Sequence, residues 1–420
     1  MRFFNTVKNI WSVEDLRKRI GITLLLVIIY RFGCYVVLPG INPDALTAMK
    51  SFTADGLMQL LDMFSGGAFS QASIFALGIM PYITASIVIQ LLGMVLPSFQ
   101  KMQREGESGR TKLNQYTRYL TVIILILQGP AYLLNLKYQI AAAGGHVEMG
   151  FWMVVYMTIV LAAGSMFIMW LGEKITDKGI GNGISLIIMI GIVARLPHAL
   201  LAEINARFQT SDGSAIMLIL ELVLLFLVFM ATVALVQAVR KIPVQYAKKM
   251  QGRKMVGGQS TFLPLKVNTA GVIPIIFASS LMQFPIVISS LVRYQGTGVW
   301  RQILNGLNQD NWCKPDQLVY SIGLVVYIVL TVFFAYFYTS LTFNPLEISN
   351  NMKKQGGFIP GIRPGKPTTD YLTKVLNAII FIGAVGLVIV AVIPFFFNGV
   401  FGANVSFGGT SLIIIVSVIL

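Results

Sequence analysis

Long apolar runs recur along the whole chain, separated by shorter polar stretches. A membrane-spanning helix needs about 20 apolar residues. Runs of that kind fall at 20–38, 76–96, 118–136, 151–171, 183–197, 214–239, 268–292, 318–341 and 375–397, and a last one starts at 408. The pattern predicts ten transmembrane helices. Two of the runs are short. Gly183–Pro197 has 15 residues, ends on a proline and carries Arg195, whose charge is expected to reach the membrane surface from a helix end. Gly408–Leu420 has 13 residues, about 20 Å of helix, against a hydrocarbon core of about 30 Å; this span is expected to continue beyond Leu420.

The stretch Leu60–Ser73, LLDMFSGGAFSQAS, fits neither a span nor an ordinary loop. It is semi-apolar, rich in small residues and broken by Gly66-Gly67. It reads either as an outer-face loop or as a re-entrant piece at membrane depth. The latter is tolerated only where protein or a water-filled cavity surrounds it.

Composition strengthens the membrane reading. Of 420 residues, 55% are hydrophobic and only 12% charged, where soluble chains carry about 25%. The charges are also unbalanced, with 32 Lys+Arg against 17 Asp+Glu, net +15. Ten alternating spans divide the connecting segments into two sets. Segments 1–19, 97–118, 172–182, 240–267 and 342–374 hold 24 basic and 8 acidic residues, and the opposite set holds 7 and 8. The positive-inside rule then places the first set, with the N-terminus, in the cytoplasm.

Two of these segments exceed what orientation requires. Arg240–Lys266 holds seven basic residues and no acidic one, and Asn344–Lys374 holds five against two. Both are long for connectors of packed helices. They read as lipid-headgroup contacts or, better, as docking surfaces for a polyanion such as RNA phosphate or an acidic protein face.

Little points to catalysis or to a cofactor. Cys34 and Cys313 form no metal or disulfide framework, and His146 and His198 fall in short polar segments away from any ligand spacing. The stretch around Gly365-Lys366 lacks both the first glycine and the Ser/Thr of a phosphate-binding loop. We expect no enzyme activity, no metal and no cofactor.

An internal repeat is present. Gly78-Ile-Met-Pro81-Tyr-Ile83-Thr-Ala85-Ser86 returns as Gly271-Val-Ile-Pro274-Ile-Ile276-Phe-Ala278-Ser279, offset by 193 residues. The copies lie in the second span of each five-span half, and an odd number of spans per half inverts the halves. Gly/Pro-interrupted spans at matching positions mark a functional pathway, and the Gly and Pro are expected to let these spans bend. Ile79, Ile83 and Ile87 share one helix face. Thr84, Gln90, Asn268 and Gln283 are polar groups that could bond between helices.

The sequence resembles the SecY family of protein-conducting channels nearly end to end. The likeness is carried by MFSGGAFSQASIFALGIMPYITASIVIQLL (63–92), EGESGRTKLNQYTRY (105–119), WLGEKITDKGIGNGIS (170–185), YAKKMQGRK, QSTFLPLKVNTAGVIP, FNPLEISNNMKKQGGFIPGIRPGK (343–366) and FGGTSL (407–412). The resemblance implies an all-α polytopic membrane protein, with ten transmembrane helices in two inverted five-helix halves, 1–213 and 214–420, and a re-entrant plug. It implies a pore ring of Ile79, Ile83, Ile188, Ile276 and Ile414, and a plug that includes Phe64, Ser65, Gly66, Gly67 and Ala68. It implies a lateral gate with Thr84, Ile87, Gln90, Asn268, Ser280 and Phe284. Docking of cytoplasmic partners would use Arg253, Lys254, Lys353, Lys354 and Arg363. Lys254 keeps the charge of that loop but not an arginine's bidentate geometry. Implied partners are SecE and SecG subunits, the SecA ATPase, the ribosome through its rRNA, signal peptides, unfolded client polypeptides and anionic lipids. The implied site is the bacterial inner membrane. A secondary transporter would also suit inverted halves, but it should carry ionisable groups at the midplane. Away from the ends of the predicted spans, only Arg31 and Glu221 are charged.

Overall fold

The computed structural model describes residues 11–41, 62, 65–142, 150–209, 214–246, 249–251, 254–256, 260–292, 299–308, 311–313, 319–401 and 409–420. A helix stands at each of the ten predicted spans: α1 (Glu14–Gly33), α2 (Met80–Val95), α4 (Glu107–Ala142), α5 (Phe151–Lys178), α6 (Gly183–Gln209), α7 (Ser214–Gln237), α8 (Ile273–Val292), α10 (Ile322–Thr342), α12 (Lys366–Phe401) and α13 (Gly409–Ile419). Among the described residues, three shorter helices lie between them, α3 (Pro97–Arg104), α9 (Val299–Leu307) and α11 (Pro345–Lys354). Among the described residues, five helices are long and apolar enough to cross a membrane alone. The pair α2 and α3, bent by 103°, makes a sixth if it counts as one span. The chain forms two compact units, Met1–Ala202 with Gln283–Arg301, and Glu203–Met282 with Gln302–Leu420.

In the first unit, the segment after residue 64 does not pass over a surface. It enters the protein and is tied to the chain following α1. The Leu38 N–H donates to the Ala72 carbonyl and the Ile74 N–H to the Val36 carbonyl, both at 2.9 Å. Phe69, Ala72 and Ala76 pack in one apolar cluster with Leu38, with Tyr132 and Leu136 of α4, and with Met157 and Leu161 of α5. Glycines make this close approach feasible. A Cβ at Gly164 of α5 would strike the Ile74 carbonyl oxygen, and one at Gly33 would strike the Phe75 ring. At another level, Arg118 of α4 braces α5 through a bidentate pair with Glu173, with an Nη2–Oε2 distance of 2.7 Å.

Three sequence expectations are corrected. First, α6 does not stop at Pro197. It runs 27 residues to Gln209 with the proline inside it. A proline removes one backbone bond, and a helix already extended for several turns can absorb that loss as a bend. His198 therefore lies on a helix rather than in a loop, and Arg195 is not at a helix end. Second, the repeated Gly-x-x-Pro does not interrupt helices; it starts them. Pro81 and Pro274 are the second residues of α2 and α8, where the missing N–H has no intrahelical partner to lose. Gly78 and Gly271 precede them at φ +56° and +62°. Even the turn bonds repeat at the 193-residue offset. The Gly78 N–H donates to Phe75 O and Gly271 to Asn268 O, and Ile83 donates to Ile79 O and Ile276 to Val272 O.

Third, the two long basic segments are not separate loops. In the second unit, β1 (Val239–Tyr246) pairs antiparallel with β4 (Ser260–Lys266), and β2 (Lys249–Gln251) with β3 (Lys254–Val256). Paired residue numbers add to 505 in both ladders, from Val239↔Lys266 to Gln251↔Lys254, so the two ladders share one register. β5 (Gly357–Phe358), from the other basic segment, joins β1 to give the order β4-β1-β5. Along β1, Ile242 and Val244 alternate inward, as a half-buried strand requires. They pack with Leu265, with Met352 of α11, with Ile359, and with Leu372 and Ile379 of α12. The two segments thus share one hydrophobic core.

These contacts predict opposite outcomes for two helical glycines. Gly164→Ala drives a Cβ into backbone and should cost about 1–3 kcal/mol, seen as a lower apparent Tm of the purified protein. Gly21→Ala in α1, with nothing within 4 Å of the new Cβ, should leave the Tm unchanged or raise it. Equal melting of both variants would contradict the seating of the Ile74 carbonyl against α5.

Candidate seal, pore and docking surface

The segment Ser65–Ser70 is buried throughout. Backbone at membrane depth needs a partner for every polar group, and here every carbonyl from Ser65 to Phe69 has one. The carbonyl of Ser65 accepts from Tyr30 Oη at 3.3 Å, and that of Gly66 from Arg31 Nη1 at 2.9 Å. The carbonyl of Gly67 accepts from Ser70 Oγ, that of Ala68 from the Ser73 N–H, and that of Phe69 from Tyr132 Oη at 2.9 Å. On the donor side, the Gly67 N–H reaches Asp62 O, the Phe69 N–H reaches Ser65 Oγ, and the Ser70 N–H reaches Asp62 Oδ1 at 2.8 Å. Gly66 and Gly67 adopt φ of +69° and +91°, conformations that disfavour a side chain. A Cβ on Gly66 would also lie 3.0 Å from the Gly191 Cα of α6. Phe64 lies outside the described residues.

Two charges that sequence reasoning misassigned complete this seat. Asp62 is fully buried, and its Oδ2 meets Arg195 Nη1 of α6. Arg195 does not rise to a membrane surface; it turns inward to a carboxylate. In sequence each is a lone charge in an otherwise apolar neighbourhood, which marks a need for a partner without naming one. Tyr30 and Tyr132 were also missed. Nothing in their sequence context separates a tyrosine that ends on a buried carbonyl from one at the membrane interface.

The ring candidates divide between the units. In the first, Ile79 precedes α2 and is 2% exposed, Ile188 of α6 is 4% exposed, and Ile83 is half-buried. On α6, Ile188, Gly191 and Arg195 stand at i, i+3 and i+7, one face of the helix. In the second unit, Ile276 is half-buried in the first turn of α8 and Ile414 is buried within α13.

The gate candidates are polar groups with local partners. Thr84 Oγ1 donates to Met80 O at 3.1 Å, and Gln90 Nε2 donates to Ser86 Oγ at 3.2 Å, both within α2. The expectation of bonds between helices is corrected for these two; a hydroxyl or amide one turn from an acceptor finds it without a second helix. Ile87 is buried on the same helix. Asn268 lines a small recess with Ala270 and Pro274, Thr339 of α10 and Gly383 of α12. Ser280 is half-buried on α8. The side chains of Gln283 and Phe284, also on α8, lie outside the described residues.

Of the docking candidates, Lys353 and Lys354 close the last turn of α11, where their charge complements the helix dipole. Arg363 is exposed, and its carbonyl accepts from Thr368 Oγ1 at 2.8 Å, which fixes the loop to the start of α12. Lys254 is in β3; its side chain and all of Arg253, between β2 and β3, lie outside the described residues. Arg240, Lys241, Lys266, Lys366 and Lys374 are exposed on the same folded cap, beside Glu347 and Asp370.

A buried re-entrant segment inside a multi-helix unit, with a basic cap on the second unit, defines a polytopic helical membrane protein. Comparison with known proteins gives the family. The SecY family model matches residues 73–420. Protein translocase subunit SecY of Corynebacterium glutamicum is 42% identical, over 97% of this chain and 93% of its own length. That of Mycobacterium tuberculosis is 43% identical, over 96% and 92%. The chain belongs to the SecY family. Among solved structures, a protein-conducting channel superposes with TM-score 0.66 at 18% identity, covering 96% of this chain and 90% of the other. A SecY structure from work on how the plug domain seals the closed channel gives 0.69 at 19%, with the same coverage. Sec61 of the canine ribosome-channel complex gives 0.60 at 17%, again with the same coverage. These three likenesses establish the fold.

The native cysteines report on the seat. Cys34 is 2% exposed, with Sγ 3.9 Å from the Ser65 carbonyl oxygen. In a Cys313→Ser background, Cys34 should resist a water-soluble maleimide in resting vesicles. Tyr132→Phe removes one buried bond worth about 1 kcal/mol and should speed labelling roughly fivefold. Rapid labelling of the parent would show that the segment does not sit against α1.

Proposed function

We propose that this protein is the channel subunit through which unfolded secretory polypeptides cross the bacterial inner membrane, and from which hydrophobic segments leave sideways into lipid. Family membership supports translocation as the activity. The observation that carries the mechanism is the buried segment Ser65–Ser70, held by hydrogen bonds and one ion pair in addition to the apolar packing of Phe69. Such a piece can seal a path and still leave it, because water can replace each of its bonds. In this reading it is the plug, and Ile79, Ile83, Ile188, Ile276 and Ile414 form the constriction above it. Branched apolar side chains exclude water and ions, offer no charge to hold a passing chain, and yield by rotating. Thr84, Ile87, Gln90, Asn268, Ser280 and Phe284 line the lateral exit between two inverted halves, 1–213 and 214–420. The charge asymmetry of the connecting segments supports a cytoplasmic N-terminus.

The chain carries no nucleotide-binding motif, so the driving force belongs to a partner. The cap formed by the β1–β4 ladder, α11 and the start of α12 gathers basic residues from two distant segments onto one body. Its chemistry suits the rRNA of a ribosome or acidic faces of the SecA ATPase, with anionic lipid headgroups as neighbours. SecE and SecG subunits complete the assembly in this proposal.

The pore assignment is tested by stalling a client mid-crossing in vesicles that carry Ile79→Cys, Ile188→Cys, Ile276→Cys or Ile414→Cys. All four positions should crosslink to the client; labelling confined to lipid-facing controls would refute the ring. The docking assignment is tested by Arg363→Glu. Export should fall severalfold while the protein's own level in the membrane stays unchanged, because the residue is exposed and its structural bond is made by its carbonyl. Normal export would remove Arg363 from the docking surface.

A further inference from the structure

We propose that the Asp62–Arg195 ion pair is the latch that sets how readily the 65–70 segment leaves its seat. The proposal rests on reading that segment as the plug, and it adds the element that governs its release.

The carboxylate is divided between two structures. Oδ1 accepts from the Ser70 N–H of its own segment, and Oδ2 is given to Arg195 of α6. Among the described residues no donor other than Arg195 reaches Oδ2. The remaining ties across this seat end on uncharged carbonyls, from Tyr30, Arg31 and Tyr132. The Asp62–Arg195 contact is, among the described residues, the single ion pair between the segment and its walls.

Burial is unequal. The Asp62 side chain is 0% exposed and that of Arg195 37%. Taking a carboxylate out of water is costly, and its cation repays that cost only in part. The pair as a whole therefore contributes little net stability, whereas loss of one partner leaves the other desolvated and uncompensated. When the segment leaves, both ions regain water together. An ion pair of this kind holds position without acting as glue.

Its location couples it to the helix that would feel a client. Arg195 is seven residues from Ile188 on the same face of α6, with Gly191 against Gly66 between them. That is about 10 Å along the helix. A shift or rotation of α6 that widens the ring at Ile188 also pulls the guanidinium from Asp62. Opening of the constriction and release of the segment become one event.

The test uses the full chain in its native translocase, in sealed vesicles and a Cys313→Ser background. The readouts are the Cys34 labelling rate and the ion leak. Deletion of 62–70 serves as the reference. Arg195→Gln leaves the fully buried carboxylate alone and should raise both readouts roughly tenfold or more. Asp62→Asn strands only a partly hydrated guanidinium and should raise them less. Arg195→Lys keeps the charge and should stay near the parent, and exchanging the two residues, Asp62→Arg with Arg195→Asp, should recover much of what either neutral variant loses. The latch is overturned if Arg195→Gln matches the parent while the deletion labels fast and leaks, or if Arg195→Lys is as loose as Arg195→Gln. A deletion that exposes Cys34 without any leak would instead refute the plug reading itself.

Discussion

Irregular backbone at membrane depth is stable only if protein replaces water around every peptide group, and the rest of the first unit follows from that requirement. From Ser65 to Phe69 each carbonyl has a donor, and those donors come from three directions: α1 gives Tyr30 and Arg31, α4 gives Tyr132, and the segment itself supplies the rest. The need explains an arginine within the first apolar run and two tyrosines whose hydroxyls are spent on main chain. It also explains the glycines. A segment clasped this closely leaves no room for a Cβ at Gly66, nor at Gly164 where the chain departs over α5.

The sequence made the spans legible because lipid imposes a one-dimensional rule, apolar length, that needs no knowledge of neighbours. All ten runs are helical, and the charge of their connectors could be sorted by simple alternation. What it hid was pairing. Asp62 and Arg195 are 133 positions apart, and each alone resembles a surface charge at the end of a span; only the third dimension makes them partners. Pro197 misled for a related reason. A proline is a good terminator in water, where a broken helix end is hydrated, but an apolar segment gains more by staying helical than it loses at one bond. The repeated Gly-x-x-Pro was correctly found and wrongly interpreted. Its conserved turn bonds, at Gly78 and Gly271 alike, belong to a device for starting a helix at depth after irregular chain.

The basic segments show the same limit from the other side. Counting charges separated Arg240–Lys266 and Asn344–Lys374 from ordinary connectors, yet it treated them as two loops. The alternation of Ile242 and Val244 in β1 was a strand signal inside a basic run, and its partner β5 is more than 100 residues away. A flexible basic loop loses conformational entropy each time it binds a polyanion. A cap with its own core has met that cost in folding, so its exposed cations present a fixed pattern. Fixed spacing is what a rigid partner such as rRNA can read, and it separates a docking surface from mere attraction to a charged membrane.

Phe69 packs into an apolar cluster, but the other ties of the 65–70 segment are polar, and that bears on how the proposed plug works. Apolar attachment grows with buried area and has no off state, so a segment glued by a large hydrophobic face would need a comparable area offered elsewhere in order to leave. Hydrogen bonds and an ion pair behave differently. Each is expensive to break inside protein and nearly free to exchange for water. The closed seat is therefore stable while it is dry and weak as soon as it is wetted. In the proposed function, a constriction of isoleucines that keeps water out would do more than block ions: it would preserve the low dielectric on which Asp62 and Arg195 depend. In that proposal, once a client parts the ring and water enters, the same contacts would lose their hold without any further force on the segment. The seal and the latch are in this sense one mechanism, and dehydration is the variable that joins them.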